Sequence, residues 1–259
     1  MAHSMAIHPT AIIAPSAEIS PDCEIGPYCI IGEKVILKEG TRLHSHVVIE
    51  QNTTLGSDCE CFPFAAIGGR TQDLKFKGEE TFLEIGDKNT FRENTTIHRA
   101  TVPDRPTIIG SNNYFLAYSH VAHDCIVGNH TIFSNNATIA GHVIVEDYAI
   151  ISGLSAIHQF CRVGRNSMTA GLARCVKDIP PYMIVDGATR GINLVGLKRH
   201  GFSEEDITAL KVAFKKIFLK KDLNLGEQIK IVKDLPEASN EHVQHLLSFI
   251  EESERGITR

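Results

Sequence analysis

A six-residue period is the feature that most constrains the fold of this chain. Every sixth position from 7 to 175 belongs to one column, and 23 of its 29 positions hold Ile, Leu, Val or Phe. Average composition would place only roughly 12 hydrophobic residues of any type in such a column. The period matches neither the 3.6 residues of a helical turn nor the alternation of a hairpin strand, and it is typical of a short strand followed by a corner.

Three strand-and-corner units close a triangular coil of about 18 residues, with the column and the small residues two positions before it pointing inward. Neighbouring coils then stack at the spacing of hydrogen-bonded strands, about 4.8 Å. We therefore predict an all-β solenoid plus α: a left-handed parallel β-helix of hexapeptide repeats over residues 6–187, followed by a C-terminal α-helical domain. This solenoid is an exception to the right-handed crossover rule.

The cysteines fit the same pattern. Five of the seven occupy the small inward position, namely Cys23, Cys29, Cys59, Cys125 and Cys161. No CxxC spacing suggests metal or redox chemistry, so we expect packing roles.

The period is interrupted at residues 71–84 and 101–107 and returns in phase each time. We interpret both segments as surface loops carried by the coil, a common location for functional residues. The coil is expected to stop at Asp178-Ile179-Pro180-Pro181-Tyr182. Residues 188–259 read as helical, with a capping box at 203–206 and further helices near 226–234 and 240–253.

Several histidines are aligned by the coil. His120 is an outward residue before the corner His123-Asp124, and a step of one coil leads to Gly141-His142. A second step leads to Gln159, with His158 just before it. These residues fall within about two coil rises, roughly 10 Å. The alignment predicts a functional site.

Two chemistries suit this cluster. His123 beside a carboxylate has the parts of a general base. The alternative is a zinc site of a metal-dependent hydratase, as in γ-class carbonic anhydrases, which are built on the same coil. Those enzymes have a His-x4-His pair, whereas this chain has His120-x2-His123.

Charge and hydropathy limit the possible partners. Lys and Arg total 26 against 31 Asp and Glu, a formal net charge of -5, so we expect no nucleic-acid binding. No apolar run approaches the roughly 18 residues of a membrane helix, so we expect a cytoplasmic chain without membrane insertion. Basic residues gather late in the coil, at Arg162, Arg165, Arg174 and Lys177, and suggest a local site for an anionic group or acidic partner.

The chain closely resembles the UDP-N-acetylglucosamine O-acyltransferases that begin lipid A synthesis. The resemblance runs from about Ile7 to the end and is carried by these segments: Gln72-Asp73-Leu74-Lys75, Thr96-Ile97-His98-Arg99, Ala122-His123-Asp124-Cys125, Asn135-Asn136-Ala137-Thr138, Ala140-Gly141-His142, Ile157-His158-Gln159-Phe160, Asp178-Ile179-Pro180-Pro181-Tyr182 and Gly196-Leu197-Lys198-Arg199.

The resemblance implies a homotrimer that moves a 3-hydroxyacyl chain from acyl carrier protein to the 3-position of UDP-N-acetylglucosamine, without a cofactor or metal. The accepting group is a hydroxyl or an amine. The resemblance makes His123 the general base, Asp124 its orienting partner and Gly141 an oxyanion donor. The implied substrate-binding residues are Gln72, Asp73, Lys75, His120, His142, His158, Gln159, Asn193 and Arg199. The family often has an acidic residue at the position of Val195.

A glycine column suggests where the acyl chain lies. Read in steps of one coil, the column is Asn135, Gly153, Gly171, and two stacked glycines would leave a shallow groove one side of the prism away from the base. The resemblance also implies a length-limiting role for this region. The alternative is that these corners need glycine for a positive φ.

Overall fold

The computed structural model describes residues 6–219 and 223–259. The first part is a left-handed parallel β-helix of three faces, each a sheet of very short strands. The first face has eleven strands: Ala6–Ile7, Glu24–Ile25, Arg42–Leu43, Glu60–Cys61, Thr90–Phe91, Tyr114–Phe115, Ile132–Phe133, Ile150–Ile151, Met168–Thr169, Met183–Asp186 and Ala188–Ile192.

The other two faces complete the prism. The second face has nine strands: Ile12–Ile13, Ile30–Ile31, Val48–Ile49, Ala66–Gly69, Thr96–His98, His120–Val121, Thr138–Ile139, Ala156–Ile157 and Arg174–Cys175. The third face has eight: Glu18–Ile19, Ile36–Leu37, Thr53–Leu55, Leu83–Ile85, Thr107–Ile109, Ile126–Val127, Ile144–Val145 and Arg162–Val163.

The interior of the coil is the column found in the sequence. Its aliphatic members stack on one another, and Phe91, Phe115 and Phe133 stack with ring centroids 5.0 and 4.8 Å apart. All seven cysteines are buried and free, as their positions predict. Burial raises the pKa of every one of these thiols, to about 12 for Cys125.

A left-handed backbone residue recurs at the corners of the prism. At the corner between the second and third faces these residues include Asp124, His142 and Phe160, with φ of 58°, 61° and 64°. Side chains in this conformation are uncommon in proteins. Here the turn geometry of the stacked coils imposes the left-handed conformation. The residue just before each left-handed residue (123, 141 or 159) faces the same edge of the prism on every coil.

The two interruptions preserve the register, as predicted. His120 pairs with Thr138, which lies one regular coil further on. Ala66 pairs with Thr96 across the first interruption, and Thr96 pairs with His120 across the second. Each of these two steps exceeds a regular coil by whole six-residue units, two units at the first loop and one at the second. Both loops emerge next to the second face.

The end of the coil is covered by the helical part of the chain. Tyr182 is fully buried, and its ring contacts those of Phe202, His242 and His245 of the helical part. Beyond it the structure differs from the expected start of the helices at residue 188. Residues Ala188–Ile192 form a strand antiparallel to Met183–Asp186. Gly187 has a φ of 63° and turns the chain into this hairpin, which extends the sheet before the helices begin.

The helical part has its own apolar core. Its α-helices are Leu194–Arg199, Glu204–Phe214, Leu225–Lys233 and Glu241–Glu251, with a π-helix at Lys215–Leu219 and a 3₁₀-helix at Pro236–Ser239. The expected capping box is present, with Ser203 and Asp206 each bonded to the other's backbone N–H. Within the described ranges, no helix combines the length and apolar character needed to span a membrane.

Candidate active site

A cleft lies at the corner between the second and third faces. Its volume is about 790 Å³, and it is lined by Gln72, Asp73, Leu74, Lys75, His98, His120, Ala122, His123, Thr138, Ala140, Gly141, His142, Gln159 and Phe160. Three successive coils and the first loop therefore converge on one place. Eight of the twelve residues predicted to be catalytic or substrate-binding line this cleft.

His123 is held in one orientation by its neighbour. Its Nδ1 lies 2.7 Å from Oδ2 of Asp124, and both side chains are mostly buried. Burial alone would raise the pKa of Asp124, but hydrogen bonds from His123 and Thr101 outweigh it and hold that pKa at about 2. The carboxylate is therefore charged at neutral pH and keeps His123 Nδ1 engaged, which leaves Nε2 for the cleft.

Gly141 lies directly against the His123 ring, one coil further on. A Cβ at this position would come within 2.5 Å of His123 Cε1 and 2.7 Å of Nε2, so no larger residue fits without moving the imidazole. In the part of the chain that the structure describes, the Gly141 N–H takes part in no hydrogen bond. Gly141, with its unbonded backbone N–H, thus lies beside the imidazole, and a free backbone N–H is the type of donor that an oxyanion site uses.

The remaining cleft histidines have lowered pKa values. Burial lowers the pKa of His98 to about 4, and burial also lowers the pKa of His120. Burial lowers the pKa of His142 as well, against the carboxylate of Asp124, whose Oδ2 lies 3.5 Å from His142 Nε2. These three rings are therefore neutral at pH 7 and act there as polar, uncharged hydrogen-bonding groups.

The first loop forms one wall of the cleft. Asp73 folds it back on itself, because its Oδ1 accepts a hydrogen bond from Lys75 N at 2.8 Å. Leu74, between them, is fully exposed. The loop thus presents one negative and one positive side chain to the same space.

Four predicted residues lie outside the cleft lining. Asp124 stands behind His123, and His158 is exposed, with Nδ1 3.3 Å from a guanidinium nitrogen of Arg255. Asn193 is buried and caps the helix Leu194–Arg199, with Oδ1 accepting from Gly196 N and Nδ2 donating to Asn166 O. Arg199 is exposed at the end of that helix.

The glycine column is open, as a groove requires. A Cβ at Gly153 would meet only Asn135 O, at 3.4 Å, and one at Gly171 only Gly153 O, at 3.6 Å. Neither glycine has a positive φ. The backbone therefore does not require glycine at these corners, and the conformational alternative fails. Both glycines lie outside the cleft lining.

The sequence did not predict two contacts inside the cleft or the residue that supports Asp124. His98 packs edge-on against His120 with ring centroids 4.8 Å apart, and Phe160 stacks on His142 at 4.6 Å. Thr101 donates its N–H to Asp124 Oδ1 at 2.9 Å and its hydroxyl to Oδ2 at 2.7 Å. A step lengthened by one six-residue unit across the second loop would have placed His98 beside His120 and Ala122.

The basic cluster late in the coil is partly neutralised. Arg162 stacks on Phe249, with its Cζ 4.2 Å from the ring centroid, and faces Glu146 and Glu252. The Arg162 guanidinium therefore joins the coil to the last helix and is not free to hold an external anion. Arg174 and Lys177 line a separate small pocket of about 260 Å³ near the end of the chain.

A metal site is the alternative interpretation of this corner. Ligand atoms of His123, Asp124 and His142 lie within 4.8 Å of one another, the spacing of a cation site. However, both carboxylate oxygens of Asp124 already accept hydrogen bonds from Thr101, and Oδ2 also holds His123 Nδ1. The geometry is that of a carboxylate that orients an imidazole, and it favours proton transfer over metal ligation.

Known proteins resemble the chain over nearly its whole length. A family described as "Udp N-acetylglucosamine O-acyltransferase; Domain 2" matches residues 178–258, and the bacterial transferase hexapeptide family matches residues 106–141. The acyl-(acyl-carrier-protein)–UDP-N-acetylglucosamine O-acyltransferase of Verminephrobacter eiseniae is 44% identical over 98% of this chain and 99% of its own.

Solved structures agree with this match. LpxA from Acinetobacter baumannii is 47% identical, covers 98% of this chain and 99% of its own, and superimposes with a TM-score of 0.93. LpxA from Bacteroides fragilis, a UDP-N-acetylglucosamine acyltransferase, is 41% identical with a TM-score of 0.94, over 98% of this chain and all of its own. The fold, the histidine corner and these similarities lead to one conclusion: this chain belongs to the UDP-N-acetylglucosamine O-acyltransferase family.

Proposed function

We propose that this chain transfers a 3-hydroxyacyl group, in the cytoplasm, from the thioester of acyl carrier protein to the 3-hydroxyl of UDP-N-acetylglucosamine, the first step of lipid A biosynthesis. The relatives are named for this pair of substrates and for transfer to oxygen. The observation that carries the proposal is the His123–Asp124 pair facing the free N–H of Gly141 inside one cleft.

His123 is the general base in this mechanism. Its Nε2 takes the proton of the sugar 3-hydroxyl while that oxygen attacks the thioester carbonyl carbon. The tetrahedral intermediate collapses, the carbon–sulfur bond breaks, and the imidazolium returns its proton to the departing thiolate. The acceptor is itself the nucleophile, so no acyl-enzyme forms.

Gly141 stabilises the charge that develops on the carbonyl oxygen. Its N–H is fixed by the rigid coil, so little reorganisation is needed when the oxyanion forms. A backbone N–H on a flexible segment would stabilise the oxyanion less. Asp124 keeps its charge and stabilises the imidazolium of His123.

The sugar is held between the first loop and the coil. Gln72, Asp73 and Lys75 supply an acceptor and donors for its hydroxyl and acetamido groups. His120, His142 and Gln159 line the opposite side as neutral groups, a suitable surface for an uncharged sugar ring. His158 is assigned to the outer edge of this binding region.

The nucleotide is bound with the help of a second copy of the chain. Asn193 and Arg199 lie outside the cleft of their own chain, and we assign them to contacts with a nucleotide across the subunit boundary. The third face, directly after the site corner, exposes Ile108, Ile126 and Ile144 in successive coils, an apolar stripe suited to burial between copies. We propose a homotrimer with one site at each subunit boundary.

The reaction is tested with purified protein, UDP-N-acetylglucosamine and a mixture of 3-hydroxyacyl carrier proteins. Mass spectrometry is expected to show a singly acylated sugar nucleotide whose formation a chelator does not reduce. Absence of this product, together with zinc-dependent hydration of carbon dioxide by the same protein, would instead favour the metal-dependent hydratase.

Sharing of the site is tested by co-expressing two inactive variants, His123→Ala and Arg199→Ala. With random assembly of equal amounts, about a quarter of all sites combine an intact base with an intact arginine from the neighbour, so activity returns to that extent. Mixed trimers that stay inactive would contradict a shared site.

A further inference from the structure

The two loops meet at a single hydrogen-bonded junction. The carbonyl of Phe82, where the first loop ends, accepts hydrogen bonds from Ala100 N at 3.2 Å and Thr107 N at 3.1 Å. These two residues bound the second loop. Both ends of the second loop are therefore fixed at one point of the coil, next to the site corner.

The same second loop brackets Asp124. At its start, Thr101 donates its N–H to Oδ1 at 2.9 Å and its hydroxyl to Oδ2 at 2.7 Å. At its end, the Thr107 hydroxyl accepts a hydrogen bond from Asp124 N, also at 2.9 Å. Three bonds thus fix the backbone and the carboxylate plane of Asp124.

The backbone of the corner does not explain these bonds. Asp124 adopts a left-handed φ of 58°, but His142 and Phe160 adopt 61° and 64° at the same corner of the next two coils. Neither residue is bracketed by threonine hydroxyls. The turn therefore forms without such bonds, and the Thr101 contacts act on the carboxylate and not on the fold of the corner.

We propose that Thr101 is a positioning residue of the catalytic pair. Its two bonds prevent the Asp124 carboxylate from rotating, so Oδ2 remains aligned with His123 Nδ1 and the imidazole keeps Nε2 beside the Gly141 N–H. Thr101 acts only through Asp124. This inference rests on the proposed role of His123 as the base.

The first test is Thr101→Val, which removes the hydroxyl and keeps both the shape and the backbone N–H. Loss of one hydrogen bond to a charged group should lower kcat by about 10-fold. The KM for the sugar nucleotide should stay within about two-fold, since Thr101 lies behind the base. Thr101→Ser restores the hydroxyl and should recover most of the rate.

Thr208→Val is the matched control. The Thr208 hydroxyl donates a hydrogen bond to Glu204 O at 2.7 Å within a helix of the C-terminal part, and Thr208 lies outside the cleft lining. Its replacement should leave kcat unchanged. If Thr101→Val does not fold, as judged by thermal unfolding, Thr101→Ala carries the same expectations.

The second test repeats the change in an Asp124→Ala background. If Thr101 acts through the carboxylate, Thr101→Val should cause no further loss there. A wild-type kcat for the single variant, or an equal loss in both backgrounds, would overturn the inference. If the proposed function itself is wrong, His123→Ala retains its rate of acyl transfer. That result is distinct from either outcome for Thr101→Val.

Discussion

Two corners of the same prism use the same backbone in opposite ways. At the corner between the third and first faces, one N–H in each of four successive turns donates to a side chain of the next coil. Ser57 N donates to Asp87, Asp87 N to Ser111, Ser111 N to Asn129, and Asn129 N to Asp147, at 2.7 to 2.9 Å. We call this the ladder corner.

At the site corner the equivalent positions are His123, Gly141 and Gln159. Among the hydrogen bonds of residues 6–219 and 223–259, none uses the Gly141 N–H, and the side chain below it is an imidazole that faces the cleft. One corner thus uses short oxygen-bearing side chains to satisfy its backbone, and the other leaves a donor free for substrate. In the proposed mechanism, the oxyanion donor therefore comes from a corner of the uniform scaffold where one stabilising contact is absent.

The largest effect should come from His123→Ala. Removal of a general base typically costs about 100 to 10,000-fold in rate, and the coil and its assembly should persist because the residue is outside the inward core. Steady-state kinetics with light scattering on the same sample test this. Asp124→Asn should cost less, since the proton acceptor remains. More than about a tenth of the wild-type rate in His123→Ala would show that another group is the base.

Gly141→Ala should be the next most severe change. The new Cβ would collide with the His123 ring and displace it from the free N–H, so we expect kcat/KM to fall by about 100-fold. Gly191→Ala is the control, because a Cβ there meets no atom within 4 Å. Equal rates for the two variants would mean that the contact between Gly141 and His123 is unimportant for catalysis.

The third corner of the prism lies between the first and second faces. Gly153 and Gly171 stack there with open space beside them. Gly171→Met should shift preference towards shorter donors by several-fold per carbon, because each excluded methylene forfeits about 0.8 kcal/mol of burial. Competition assays with carrier proteins of several acyl lengths measure this. A uniform loss at every length would remove the acyl groove from the proposal.

The smallest effect on activity should come from the ladder corner. Asp147→Ala deprives Asn129 N of its acceptor and should lower the free energy of unfolding by about 1 kcal/mol, while kcat stays within about two-fold. Chemical denaturation and kinetics on one preparation test both parts. Asp147→Asn retains an acceptor oxygen and should be closer to wild type. A large loss of kcat in Asp147→Ala would erase the distinction between the two corners.

The sequence predicted the coil and the alignment of residues at the site corner because both follow from spacing. A period of six places Ile97, Val121 and Ile139 inside, and a step of one coil places Gly141 over His123. A step of one regular coil does not align residues across a loop that adds residues. For this reason His98 was not assigned to the site. Thr101 was missed because loop conformation depends on hydrogen bonds that no period records.

The far end of the chain followed different rules. The hairpin strand Ala188–Ile192 lies where the six-residue period has ended and helical spacing has not begun. Asn193 caps a helix, a local role that the resemblance did not indicate. Its contact with nucleotide, like that of Arg199, stays a prediction because it depends on a neighbouring subunit.

The buried cysteines give the coil a built-in set of reporters. Cys23 and Cys29 lie near its first turns, Cys125 near the site, and Cys161 and Cys175 near its last turns. Since thiolates react and these thiols are buried with raised pKa values, alkylation at each height requires the coil to open there. Position-resolved labelling rates would therefore show from which end this solenoid unfolds, and no added cysteine is needed.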